Sequence, residues 1–129
     1  MTDDIWYLLR NCIFERRYGD ASSILNDQPD LIDLRNSIGE TILHHVAVEN
    51  DIDGVNWLYS RGFKLDTKNE FGTPAIFEVA QLSYRELLLW FYKNGADFKI
   101  KDDYGDSIIE YLDEYEKTEM ISFVKEKCA

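Results

Sequence analysis

NSIGETILHHVAVE, residues 36–49, is the stretch on which the reading of the fold turns, because the chain repeats it twice. It returns as NEFGTPAIFEVAQL at 69–82 and as DDYGDSIIEYLDEY at 102–115. Gly39, Gly72 and Gly105 stand 33 residues apart, each three residues after Asn36, Asn69 or Asp102, and Gly62 and Gly95 are also 33 apart. Apolar positions keep the same register: Leu43, Ile76 and Ile109; Val46, Val79 and Leu112; Val55, Leu88 and Ile121; Leu58, Phe91 and Val124. A fixed period of this length is the signature of stacked supersecondary units, each contributing the same core contacts.

Each unit reads physically. The Asx residue can bond the backbone two or three positions on, and the glycine admits a positive φ, so the pair makes a turn. Thr41 or Ser107 then caps a helix whose apolar residues, such as Leu43, Val46 and Ala47, recur at helical spacing; Pro74 takes the capping place in the middle unit. Polar residues lead to a second helix, expected at 52–60 and at 84–93, that stops at Gly62 or Gly95 in the left-handed conformation. Extended residues, FKLDTKNEF at 63–71 and ADFKIKDDY at 96–104, carry the chain to the next turn.

GETILHHVA at 39–47 resembles the ankyrin-repeat consensus G-x-T-P-L-H-x-A-A, and GTPAIFEVA at 72–80 keeps its turn glycine and apolar spacing. KNGADFKIKDDYG at 93–105 is similar to the family's finger between repeats. The resemblance covers about 36–129 and implies an all-α ankyrin-repeat solenoid of about four helix-turn-helix repeats joined by β-turn fingers, in one domain over 1–129. Its parts would be a degenerate N-terminal repeat at 1–35, repeats at 36–68 and 69–101, and a C-terminal capping repeat at 102–129. In the opening repeat a helix is expected around 5–16, a turn at Gly19 and Asp20, and a second helix around 21–27. In the last repeat Glu110 and Asp113 replace the histidine and alanine, as suits a terminal unit with one face in water.

The paired histidines invite a chemical reading. His44 occupies the consensus place from which, the resemblance implies, it bonds backbone of neighbouring turns, and His45 is expected on the helix surface facing solvent. His45 and Glu49, four apart, could share a face as two metal ligands, but no third ligand lies nearby. A phosphate-binding loop, a nucleophile elbow and a dinucleotide-binding glycine pattern are all missing from the sequence. Paired carboxylates such as Asp102 and Asp103 fall in turns and caps, where solvated charge accounts for them. No catalytic residue, metal site or cofactor is expected.

The chain has 129 residues, 14 Lys+Arg against 25 Asp+Glu and a net charge of −11. That repels nucleic acid and anionic membrane and favours a basic protein, although excess acid also serves solubility alone. The acidic N-terminal MTDDIWYLL lacks the basic start of a secretory signal, and LLLWFY at 87–92 is too short to span a bilayer and reads as a buried helix segment, so cytoplasmic residence is expected. Cys12 and Cys128 are expected to be reduced thiols.

Where the family presents its binding surface, the matching positions here are Ile38, Glu40, Glu70, Phe71, Asp103, Tyr104 and Asp106 on the turns, and Glu49, Leu82, Glu114 and Tyr115 on the flank of each first helix. Ile38, Phe71 and Tyr104 would form an apolar ladder among carboxylates, as in a protein-binding hot spot, or would tuck against the next turn and stiffen the stack. From Asp102 to Glu119 eight acidic residues face one lysine. The expected function is non-enzymatic: an acidic concave groove that binds a basic protein partner, a toxin or effector, in the manner of ankyrin-type immunity proteins that silence a toxin. The alternative is an adaptor or scaffold that recruits a partner without inhibiting it. A monomer is expected when unbound.

Overall fold

The computed structural model describes residues 2–129, and the fold is all-α. The chain forms two compact units, a first ending at Lys64 and a second running over Leu65–Ala129. In the first unit α1 (Thr2–Phe14) packs on α2 (Tyr18–Asp27) and on α3 (Ile42–Val48), which in turn packs on α4 (Ile52–Ser60). A short 3-10 turn, Pro29–Asp33, follows α2. In the second unit α5 (Ala75–Gln81) packs on α6 (Arg85–Lys93) and on α7 (Ile108–Glu114), and α7 packs on α8 (Thr118–Lys127). Isolated antiparallel bridges, Arg35 to Thr41 and Lys68 to Pro74, close the loops that lead into α3 and α5. Among the described residues no helix is long and apolar enough to cross a membrane.

The helices start where local chemistry starts them. The Thr41 hydroxyl accepts the His44 N–H, and Ser107 forms a capping box with Glu110, side chain to backbone in both directions. The Asp51 carboxylate caps α4 through the Gly54 N–H at 3.0 Å and also pairs with Arg16 at 2.7 Å, tying the α1–α2 joint to the start of α4.

Each helix pair is joined by the same tight device. Arg16, Asn50, Ser83 and Glu116 have φ of 61°, 57°, 62° and 56°, and the last three stand 33 residues apart. After α3 the Asn50 N–H bonds the Ala47 carbonyl and the Asp51 N–H bonds that of Val46; the same two bonds are made to Ile13 and Cys12, to Ala80 and Val79, and to Asp113 and Leu112 at the other joints. This is the double closure that usually recruits glycine, built here on ordinary residues.

The opening helices differ from the sequence expectation. Gly19 and Asp20 lie inside α2, whose first residue is Tyr18, and the turn falls at Glu15–Arg17. The Tyr18 ring at this earlier start stacks on Trp57, centroids 5.5 Å apart and planes 22° off parallel. LLLWFY is amphipathic rather than wholly buried: Leu87, Leu88 and Phe91 face the core of the second unit, while Tyr92 is exposed. The repeated apolar register holds in the core except at Ile109 and Ile121, which are half-buried in the last helix pair. Cys12 and Cys128 are buried and form no disulfide, and burial pushes the Cys128 thiol up from its usual pKa.

Candidate functional site

The three turns share one hydrogen-bonding plan. Oδ1 of Asn36 accepts the N–H groups of Ile38 (3.2 Å) and Glu40 (2.9 Å), Oδ1 of Asn69 those of Phe71 and Thr73 (both 2.9 Å), and Oδ1 of Asp102 those of Tyr104 (3.0 Å) and Asp106 (2.9 Å). All three Asx residues are buried. Their turns lift the next-but-one residue outward, leaving Ile38, Phe71 and Tyr104 at 66%, 70% and 81% exposure, which no core requirement explains.

In the first unit the predicted residues separate. Ile38 and Glu49 are exposed, but Glu40 is half-buried and engaged: its carboxylate accepts from Asn36 Nδ2 at 2.7 Å and pairs with His45 Nε2 at 2.9 Å. His45 is therefore not a solvent-facing neighbour of Glu49. Its ring sits edge-on to Trp6 with centroids 4.9 Å apart, and Arg10 reaches its Nδ1 at 3.4 Å. The turn folds Glu40 back over the start of α3, nearer than Glu49 one turn on. His44 is buried, with Nδ1 hydrogen-bonded to the Thr41 hydroxyl.

The Asn36 amide, then His45, holds the Glu40 carboxyl below its usual pKa of 4.5. A carboxyl depressed in the folded state contributes stability above its unfolded pKa and loses it as pH falls through the folded value. Glu40→Gln is therefore expected to be less stable than the parent above pH 4.5 and to lose less on acidification below it. Urea midpoints between about pH 3 and 6 measure this, and parallel pH curves for the two proteins would count against the network.

In the second unit five predicted residues converge. Phe71, Tyr104, Asp106, Glu114 and Tyr115 line one cavity of about 550 Å³ together with Asn69, Thr73, Glu78, Gln81, Asp102 and Tyr111. Its walls are the turns at 69–73 and 102–106 and the facing flanks of α5 and α7. Tyr111 packs against Phe77 at 5.1 Å and Tyr115 at 4.9 Å and donates its hydroxyl to Gln81 Oε1 at 3.2 Å. Desolvation, with Tyr115, Glu78 and Asp102 adding to it, pushes the Tyr111 phenol up from its usual pKa, so the ring remains a neutral wall. Of the other predicted residues here, Glu70 and Leu82 are exposed away from the cavity, and Asp103 pairs with Lys68 at 3.0 Å.

Glu78 and Tyr111 were not legible as site residues from their helical spacing, which reads as structural. Their one signal is the repeat register, which aligns His45, Glu78 and Tyr111 at intervals of 33 and so marks a polar or aromatic position in each first helix. A hollow of about 660 Å³ in the first unit, among Asp4, Leu8, Asp27, Asp30 and Leu34, is larger but contains none of the predicted residues and no aromatic ring. Ring faces and convergent carboxylates together are what recognition of a cationic group needs, so the smaller cavity is the candidate site. No protein-family model matches the chain, and a search of the curated proteins finds no match.

Proposed function

We propose that this chain is an ankyrin-type repeat solenoid with β-turn fingers at 36–39, 69–72 and 102–105, and that it acts without catalysis by binding a basic protein in the cytoplasm. The 33-residue recurrence of turns, caps and joints supports the repeat reading. The observation that carries the binding role is the cavity of the second unit, where Phe71, Tyr104 and Tyr115 stay exposed among Asp106, Glu114 and Glu78. Exposed rings of this kind anchor protein interfaces, and surrounding carboxylates steer and select a positively charged partner. In its more specific form the proposal is immunity: the chain seats on a basic toxin and blocks it.

Immobilised chain offered the products of neighbouring genes is expected to retain a basic protein and to release it as salt rises, since exposed charges are screened beyond about 8–10 Å at physiological ionic strength. Phe71→Ala with Tyr104→Ala should weaken capture by about 30-fold or more, the equivalent of losing about 2 kcal/mol of anchor energy. Loss of the partner's toxicity on binding supports immunity, and binding with activity retained selects the adaptor role. Capture that ignores both salt and the double substitution would remove the proposed surface altogether.

A further inference from the structure

We infer that the cavity of the second unit holds the guanidinium of an arginine side chain inserted by the partner, with the Asp102 carboxylate as its buried counter-ion. This rests on the protein-binding reading and names the group that the partner presents. The argument comes from comparing the three Asx positions. Asn36 and Asn69 use one oxygen for the turn and spend the amide nitrogen inward, Asn36 on Glu40 at 2.7 Å and Asn69 on Glu78 Oε1 at 2.9 Å. Asp102 makes the same two turn bonds through Oδ1, yet carries an oxygen where the other two carry a donor.

That oxygen receives no hydrogen bond and no ion pair among the described residues, although Asp102 is 94% buried by its 6% exposure and lines the cavity. Asparagine is enough for this turn, as the other two show. The idle oxygen keeps some access to the cavity, since the one fully buried unpartnered side-chain atom among the described residues is Trp6 Nε1; a mostly buried carboxylate thus holds one acceptor open to an incoming cation, which asparagine would not offer as a charge.

The surroundings select the cation. Glu78, Asp106 and Glu114 share the cavity, and among the described residues no lysine or arginine lines it. No three His, Cys, Asp or Glu side chains among the described residues are grouped to hold a metal ion, so the charge to be met is organic. The rings of Phe71, Tyr104, Tyr111 and Tyr115 offer flat faces beside those carboxylates. A planar guanidinium can stack on a ring and fork to a carboxylate at once, whereas an ammonium offers only a point charge.

The probe is the peptide acetyl-Gly-Ser-Arg-Ser-Gly-amide titrated into the 15N-labelled full chain, with lysine and citrulline peptides beside it. Arginine is expected to shift the amides of 69–73, 78–82, 102–106 and 111–115, to bind about 5–10-fold tighter than lysine, and to leave citrulline inert. Asp102→Asn, which keeps the turn acceptor and so the fold, should weaken arginine binding about 10-fold with an unchanged or raised Tm. Glu86→Gln removes one charge of the same unit at an exposed position of α6 outside the cavity and should stay within about 2-fold. Equal losses in the two variants, equal affinity for arginine and lysine, or no saturable shift up to about 10 mM peptide overturns the inference. If whole-protein capture still depends on Phe71 and Tyr104 in that case, only the arginine assignment falls; if capture is lost too, the protein-binding reading falls with it.

Discussion

Phe77→Ala is expected to lower the unfolding free energy by about 3–5 kcal/mol, the range for emptying a buried aromatic site that cannot collapse. Phe77 is completely buried on α5, and its ring meets Tyr111 of α7 at 5.1 Å and 48°. Its loss opens a void against the helix pairing that builds the cavity, so Tyr111 would lose its backing while its own contacts with Tyr115 and Gln81 remain. Small domains have about 5–15 kcal/mol of stability in all, and the variant should therefore be near its unfolding threshold at 37 °C. Phe77→Leu, which keeps most of the volume, should cost less than about 1.5 kcal/mol. Urea denaturation of the three proteins measures both figures. A cost below about 1 kcal/mol for alanine would mean that α5 and α7 do not close around this ring.

The parts of this architecture that the sequence makes legible are those whose residues have one physical use. Gly39, Gly72 and Gly105 take φ of 85°, 77° and 85°, as a repeated glycine in a turn demands, and Thr41 and Ser107 cap as hydroxyl residues ahead of apolar helices do. The joints at Arg16, Ser83 and Glu116 were opaque because nothing in an arginine, serine or glutamate side chain favours the left-handed region; only Asn50 carries that preference. Gly19 misled for the converse reason, since it looks like a turn and lies in the first turn of α2 with open space around it.

The candidate site divides in the same way. The ankyrin resemblance points to Phe71, Tyr104, Asp106, Glu114 and Tyr115 as turn and flank positions outside the core, and the fold brings these five to one cavity. The Glu40–His45 pair is hidden from the sequence because it crosses a turn, whereas helical spacing points His45 toward Glu49. Asp102 looked interchangeable with Asn36 and Asn69, and as a turn residue it is; the difference lies in one oxygen whose surroundings only the fold defines.

Gly72→Ala and Gly105→Ala test how closely the two turns of the cavity are set. Both glycines have positive φ, so each alanine pays about 1–2 kcal/mol for the left-handed conformation. A Cβ on Gly105 meets nothing within 4 Å, but one on Gly72 runs into the Asp103 side chain, and into its Cβ as well as its carboxylate. The stem of Asp103 cannot swing aside as a side-chain tip would, because the Asp103 N–H is bonded to the Gly72 carbonyl at 3.1 Å. The backbones must part instead, which strains that bond and the Asp103 pairing with Lys68. Gly72→Ala should therefore cost about 2–4 kcal/mol against about 1–2 for Gly105→Ala, read from urea midpoints at constant m. Because the adjoining turns at 69–73 and 102–106 both line the cavity, forcing them apart should also weaken binding of the arginine peptide in Gly72→Ala by more than in Gly105→Ala. Equal stability losses in the two variants would mean that the turn at 102–106 yields without cost, and a binding site that depends on their spacing would then have no fixed frame.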